Sequence, residues 1–145
     1  MTRYLLDTNI VSELAKPLPS APLREWIAAR EDGSMFIASL TVAEIQRGIL
    51  ELPLGQRRDR LAGWFAGPEG PQALFSGRVL AFDENAALIW GRLMAEGKTV
   101  GQPRSGLDMI LAAVAEANDC LVITANERDF AGVPFMNPLR PRGQG

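Results

Sequence analysis

The chain has 145 residues, a formal net charge of −2, one cysteine and no histidine. The length and the 47 % content of hydrophobic residues predict a single globular domain over residues 1–145. The absence of histidine excludes a Ser-His-Asp or Cys-His nucleophile and, with only one cysteine, a zinc site of nitrogen and sulfur ligands. Acid–base chemistry is left to carboxylates, lysine, tyrosine or water bound to a hard cation such as Mg²⁺ or Mn²⁺.

The same composition bounds the setting of the protein. Its single cysteine, Cys120, excludes an internal disulfide framework and predicts a reducing, cytoplasmic location. No apolar run approaches the roughly 20 residues that span a bilayer, and no signal peptide is predicted. We therefore expect a cytoplasmic protein without membrane contact.

Short apolar runs alternate with helical patterns along the chain. Strands are predicted at residues 4–6, 35–38, 78–82, 121–123 and 133–136. Helices are predicted at residues 10–15, 21–30, 42–52, 56–66, 84–97 and 107–117. This alternation is typical of an α/β fold, a three-layer α/β/α sandwich with a mainly parallel sheet of four to five strands.

Short polar side chains stand where these helices begin. The predicted N-caps are Asn9, Ser20, Thr41, Asp83 and Ser105. Two of them also fit a capping box, in which Thr41 pairs with Glu44 and Ser105 with Asp108. Each of these two acids therefore has a purely structural role open to it.

The first apolar run ends in a carboxylate, Asp7. Open parallel sheets bind ligands in the crevice beyond the carboxyl ends of their strands, which is where Asp7 would lie. A turn or capping role explains a single residue of this kind as well. The interpretation of Asp7 therefore depends on what else reaches the same edge.

Further polar residues follow the other predicted strands. Glu44 lies one turn into the helix after the second strand, and Asn126 and Asp129 follow the fourth. Because parallel strands all end at one edge, Asp7, Glu44 and Asn126 are expected to meet there, and Asp108 joins them if its helix packs beside the first strand. Clustered carboxylates repel one another and need a counter-charge, which a divalent cation supplies.

Four motifs carry a resemblance to a known family. They are residues 5–9 (LLDTN), 40–45 (LTVAEI), 108–113 (DMILAA) and 124–130 (TANERDF). In this order, over essentially the whole chain, they resemble the PIN-domain ribonucleases and, more narrowly, the VapC-type toxins of bacterial type II toxin–antitoxin systems. The resemblance implies a PIN-like fold and a metal-dependent endoribonuclease that acts as the toxin of such a pair.

The resemblance extends to individual positions. The family's three invariant acids correspond to Asp7, Glu44 and Asp108. Asn126 and Asp129 fall in its fourth, more variable acidic region. In two departures, Ala125 stands where members often have an arginine, and Asn126 where some have aspartate. An amide still coordinates a metal ion but adds no charge, so a second ion would be held less tightly.

The resemblance implies hydrolysis of an RNA phosphodiester by water activated on Mg²⁺ or Mn²⁺. The implied ligands are Asp7, Asp108, Glu44, Asn126 and Asp129. Of these, Asp7, Glu44, Asp108 and Asn126 are also expected to be catalytic, with Glu44 coordinating the ion or orienting the attacking water. Thr8 and Thr124 are expected to hold water or phosphate beside the ligands, and local bonding to the backbone is the alternative for Thr8.

The resemblance also implies partners. It implies an RNA substrate, a homodimer and a cognate antitoxin that covers the site, with DNA reached only through that antitoxin. An interface is predicted independently by four apolar residues beyond what a small sheet needs for its own cover: Trp64, Phe65, Leu74 and Phe75. A basic cluster of Arg57, Arg58 and Arg60 is interpreted as a solvated helix face.

Two other functions fit parts of the sequence. One is a non-catalytic PIN-like binding module that acts through its antitoxin partner, although the intact acids argue against a purely structural role. The other is a haloacid-dehalogenase-like phosphatase with Asp7 as its nucleophile. That chemistry usually requires a second aspartate two positions later, where this chain has Asn9.

Overall fold

The computed structural model describes residues 2–140. Its strands are β1 (Arg3–Leu6), β2 (Met35–Ala38), β3 (Val79–Leu80), β4 (Cys120–Ile123) and β5 (Phe135–Met136). Its helices are α1 (Thr8–Leu14), α2 (Ala21–Ala28), α3 (Ser39–Leu50), α4 (Gln56–Ala66), α5 (Pro71–Leu74), α6 (Glu84–Thr99) and α7 (Gly106–Ala117). Short 3₁₀ turns lie at Asp32–Ser34 and Glu127–Phe130. None of the helices in residues 2–140 is long and apolar enough to cross a membrane.

The five strands form one parallel sheet in the order β3-β2-β1-β4-β5. The chain moves outward from β1 through β2 to β3 and then crosses to the other side of β1 to form β4 and β5. The strand order therefore reverses between β1 and β4, and a crevice opens there beyond the strand ends. This crevice determines where the candidate site lies.

Apolar side chains cover both faces of the sheet. Leu5 and Val122 pack into one cluster with residues of α6 and α7, whereas the next residues along the strands, Leu6 and Ile123, pack into a second cluster with residues of α1 and α2. Because successive side chains of a strand point to opposite faces, this alternation requires helices on both sides. The predicted three-layer α/β/α sandwich is confirmed, with five strands that are all parallel.

Two contacts fix the start of α7, which carries Asp108. Trp90 Nε1 on α6 donates a 2.9 Å hydrogen bond to the carbonyl oxygen of Gly106. Arg104 Nη1 donates a 2.6 Å hydrogen bond to the carbonyl oxygen of Leu93. Both bonds tie the segment before α7 to α6, so the first turn of α7 is held at the carboxyl edge of the sheet.

Two predicted caps are wrong. Asp7 rather than Asn9 caps α1, because Asp7 Oδ1 accepts a 2.7 Å hydrogen bond from the Thr8 amide. Helix α3 begins directly after β2, and its N-cap residue, Ala38, makes no side-chain hydrogen bond. The Thr41–Glu44 capping box is therefore wrong, since Thr41 lies inside the helix and its hydroxyl is used in a tertiary contact with Thr8.

The other predicted caps are confirmed. The side chains of Ser20, Asp83 and Ser105 accept hydrogen bonds of 3.3, 2.9 and 3.3 Å from amides in the first turns of α2, α6 and α7. Edge strands β3 and β5 are shorter than predicted, since each pairs with its single neighbour over two residues only. Helix α6 continues past the predicted end at Gly97 to Thr99, and α5 was not predicted.

The structure contradicts the predicted apolar interface at one of its four residues, Phe75. Phe75 is buried in the core and is unavailable to a partner. Leu74 is exposed, and Trp64 and Phe65 on α4 are half-buried.

Candidate active site

Asp7 and Thr124 follow β1 and β4, the two strands between which the sheet order reverses. Asp7 is 7 % exposed and Thr124 is completely buried. Thr124 Oγ1 donates a 2.8 Å hydrogen bond to Asp7 Oδ2. Adjacent strands thus place a carboxylate and a hydroxyl in direct contact at the crevice.

The Asp7 carboxylate is held at both oxygens. Oδ1 caps α1 through the Thr8 amide, and Oδ2 accepts from Thr124 and, at 3.0 Å, from Asn9 Nδ2. Burial raises the pKa of the Asp7 carboxyl, hydrogen bonds from Thr124, Thr8 and Asn9 lower it in part, and the neighbouring Glu44 carboxylate raises it. The capping role and the cluster role of Asp7 are therefore both present.

Glu44 reaches the same place from α3. Its Oε1 accepts a 2.7 Å hydrogen bond from Oγ1 of Thr8, which is the first residue of α1. Thr41, one turn earlier on α3, lies 3.3 Å from the same hydroxyl. Because one hydroxyl has a single hydrogen, Thr8 donates to Glu44 and can accept from Thr41. The Thr8 hydroxyl therefore bonds between helices, and not to the local backbone as in the alternative interpretation of this residue.

Asp108 lies half-buried in the first turn of α7. Burial raises the pKa of its carboxyl and the Ser105 hydroxyl opposes the rise, while the negative charges of Asp129, Asp7 and Glu44 increase it. These interactions show that carboxylates from four separate segments lie within electrostatic reach of one another. Convergence at one edge, expected from the parallel sheet, is therefore present in the structure.

Asn126 and Asp129 form the rim after β4. Asn126 Nδ2 donates a short hydrogen bond to Asp129 Oδ2, and both side chains are exposed. The Asn126 amide donates a 2.9 Å hydrogen bond to Thr124 Oγ1. Thr124 thus joins Asp7 to this rim, so the position of the rim depends on the buried hydroxyl.

Asn9 is a site residue for which the sequence predicts only a helix-capping role. Besides its bond to Asp7, Asn9 Nδ2 lies 3.3 Å from Thr124 Oγ1, and its Oδ1 accepts a 3.2 Å hydrogen bond from the Ala125 amide. Asn9 therefore connects the ends of β1 and β4. Its place two residues after Asp7, within the LLDTN motif, was the available signal.

The donor set fits a hard divalent cation, because it consists of carboxylate, amide and hydroxyl oxygens. Among residues 2–140 no lysine or arginine forms an ion pair with Asp7, Glu44, Asp108 or Asp129, so their repulsion has no protein counter-charge there. Within the same residues, no three acidic side chains are arranged to hold one ion together. Mg²⁺ is commonly bound through one or two carboxylates and several waters, which an open cluster of this kind accommodates.

Comparison with known proteins identifies the fold family. The family model for the PIN domain matches residues 4–136 of this chain. The chain belongs to the PIN domain family. This assignment confirms the family that the four sequence motifs indicated.

The similarity to individual proteins extends over nearly the whole chain. The chain is 35 % identical over 139 residues to the VapC ribonuclease Y4jK of Sinorhizobium fredii, covering 94 % of this chain and 98 % of that protein. It is 32 % identical to the toxin FitB of Neisseria gonorrhoeae, covering 92 % and 96 %. The solved structure of FitAB bound to an IR36 DNA fragment has a TM-score of 0.85 at 29 % identity, covering 98 % and 99 %. The resemblance to VapC-type toxins is thereby confirmed.

Proposed function

We propose that this PIN-domain protein is the toxin of a toxin–antitoxin pair and cleaves RNA as a Mg²⁺- or Mn²⁺-dependent endoribonuclease, with residues 1–145 as its single nuclease domain. The observation that carries the proposal is that Asp7, Glu44, Asp108 and Asp129 lie within electrostatic reach of one another at one edge of the sheet. A PIN domain with similarity to a VapC ribonuclease and to the toxin FitB supports it.

Asp7 and Asp108 would hold the cation, and Glu44, Asn126 and Asp129 would contact it through bound water. A divalent cation at such a site lowers the pKa of water and offsets charge on the scissile phosphate. The raised pKa values of Asp7 and Asp108 support this assignment, because burial and mutual repulsion are the conditions that a bound cation relieves.

The chain's own residues orient these groups. Thr124 and Asn9 fix Asp7 Oδ2 through hydrogen bonds of 2.8 and 3.0 Å. Thr8 holds Glu44 Oε1 and leaves Oε2 to accept the proton of the attacking water. The contact of Asn126 with Asp129 keeps the rim acid beside the crevice.

The proposal includes partners. A cognate antitoxin would cover the crevice, DNA would be reached only through that antitoxin, and two copies of the toxin would form a homodimer. The similarity to the FitAB structure, which holds a DNA fragment, supports a DNA-bound assembly. We expect the protein to act in the cytoplasm, where its RNA substrate is found.

The direct test of the site compares Asp7→Asn with Asp59→Asn. Asparagine at position 7 keeps an oxygen that caps α1 but removes a charge, so RNA cleavage should fall about a hundredfold or more while the protein stays folded. Asp59 is exposed on α4 and serves as the charge-matched control. Cleavage by Asp7→Asn at the rate of the control would refute the assignment. No cleavage by purified wild-type protein would instead favour the non-catalytic module.

A further inference from the structure

A cavity of about 370 Å³ opens directly beside the acidic cluster. It lies between α1, α3 and α4, and Thr8 and Glu44 of the candidate site form part of its wall. Its volume is within the range of pockets that take one small organic ligand. Whatever occupies this cavity therefore lies next to the bond that would be cleaved.

Helix α4 presents one chemical face to this cavity. Arg57, Arg60, Leu61 and Trp64 all line it, at the spacing of one helix face. The interpretation of the arginines as a solvated face is therefore incomplete for Arg57 and Arg60. Among residues 2–140 neither of these arginines forms an ion pair, whereas the neighbouring Lys16 is paired with Glu13 at 2.7 Å.

We propose that this cavity is a nucleotide subsite, which binds one base of single-stranded RNA against Trp64 and the adjoining phosphates against Arg57 and Arg60. The inference rests on the proposed ribonuclease function and names the residues that bind its substrate beside the cleaved bond. The planar guanidinium fork suits phosphate, and an indole ring stacks on any base. An uncharged base is also compatible with Glu44 in the cavity wall, where an acidic peptide would add to the repulsion.

The groove continues beyond one nucleotide. A second cavity of about 560 Å³ shares Lys16, Arg60 and Trp64 with the first. An RNA strand can therefore pass from the acidic cluster along α4, with Arg60 facing both cavities. This continuity favours a polymer over a free mononucleotide.

Gly48 allows the cavity to be filled without disturbing the fold. It lines the cavity from inside α3, and a Cβ atom added there would meet nothing within 4 Å. Gly63 on α4 has the same open space but does not line the cavity. Leucine favours helix at both positions, so Gly48→Leu and Gly63→Leu should both fold.

The experiment measures binding of a 5′-fluorescein-labelled, single-stranded 12-nucleotide RNA by fluorescence anisotropy, with Asp7→Asn as the uncleaving parent. Gly48→Leu should weaken binding at least tenfold, and Gly63→Leu should not. Trp64→Leu should weaken it about five- to 150-fold, and Trp64→Phe should restore most of the loss because it keeps a ring to stack on. A purely structural role for Trp64 would make the two changes similar.

The salt dependence of the Kd isolates the phosphate contacts. Arg57→Gln/Arg60→Gln should reduce the slope of log Kd against log salt by about 1.4, since each phosphate contact to a single strand contributes about 0.7. Arg24→Gln/Arg47→Gln makes the same change in net charge at exposed positions outside the cavity and should leave the slope unchanged.

Three outcomes separate this inference from the proposed function. Normal RNA binding by Gly48→Leu and by the Arg57/Arg60 double variant, while wild-type protein still cleaves RNA, overturns the subsite alone. The subsite is also overturned if these variants no longer bind a co-expressed antitoxin but still bind RNA normally, because the cavity would then bind protein. RNA binding that depends on the cavity, in a wild-type protein that cleaves no RNA, supports the subsite and refutes the ribonuclease.

Discussion

Thr8 Oγ1 donates a hydrogen bond of 2.7 Å to Oε1 of Glu44, which joins the first residue of α1 to α3. The Glu44 carboxylate therefore faces the end of β1 and does not return to the Thr41 amide. Thr41 is completely buried, with its hydroxyl 3.3 Å from that of Thr8. Glu44 presents a carboxylate to the crevice, whereas Thr41 is buried and bonds only to Thr8 in this network. Substitutions at the two positions can therefore separate a catalytic role from a structural one.

Glu44→Gln tests the catalytic role of this carboxylate. The glutamine carbonyl can still accept from Thr8, so stability should stay close to that of the wild type. RNA cleavage should fall about a hundredfold or more, because general-base assistance alone is typically worth 10²–10⁴. Single-turnover cleavage rates and thermal unfolding measure the two effects. An unchanged cleavage rate would leave Glu44 with a structural role only.

Thr41→Val is the reciprocal test on the same helix. Valine has nearly the shape of threonine but lacks the hydroxyl, so stability should fall by about 1 kcal/mol through the lost hydrogen bond. Cleavage should remain close to wild type, because the bond from Thr8 to Glu44 stays when the Thr41 hydroxyl is removed. Urea unfolding measures the loss. A large fall in cleavage at unchanged stability would show that the Thr41 hydroxyl takes part in positioning Glu44.

The raised pKa of Asp108 predicts that the stability of the metal-free protein depends on pH, which Asp108→Asn tests. The pKa of Asp108 is raised by folding, so the folded chain binds its proton more tightly, and stability falls as pH rises from the ordinary value of 3.8 through the pKa of the folded state. The wild type should therefore lose stability relative to Asp108→Asn across that window. Urea unfolding in EDTA at a series of pH values measures the difference. A constant difference would mean that folding does not shift the Asp108 carboxyl.

The proposed homodimer predicts a mass in solution of twice the 15.8 kDa of one chain. Leu74, 49 % exposed beside the half-buried Trp64 and Phe65, is the accessible part of the predicted apolar interface. Leu74→Glu should shift the protein towards monomer, whereas Leu88→Glu on α6, where the leucine is 72 % exposed, should not. Sedimentation equilibrium at micromolar concentration gives the masses. A wild type that is monomeric under these conditions contradicts the dimer.

The sequence predicted the layers of the fold because unbroken apolar runs such as Leu5-Leu6 require cover on both faces. It did not predict which polar residue begins a helix where several stand together. Asp7, Thr8 and Asn9 are all plausible caps, and only the backbone geometry at Asp7 decides among them. At α3, direct continuation from β2 places Thr41 inside the helix, which outweighs its local preference for a cap.

The sequence also indicated which acids would come together, because the predicted strand ends and the four motifs point to Asp7, Glu44 and Asp108. It could not give the contacts that hold them, because these join residues far apart in the chain. The bond of Thr124 to Asp7 and the two-sided contact of Asn9 depend on β1 lying beside β4. The cavity on α4 likewise depends on how α1, α3 and α4 pack, and the basic cluster alone did not reveal it.

The most direct test of the account is RNA cleavage by the purified wild-type chain before and after removal of divalent cations. Cleavage in Mg²⁺ or Mn²⁺ should stop when EDTA is added and return when excess Mg²⁺ is restored to the same sample, because the four carboxylates need a cation to act. The Asp7→Asn protein should stay inactive throughout. Full cleavage by the wild type in EDTA would contradict the central claim.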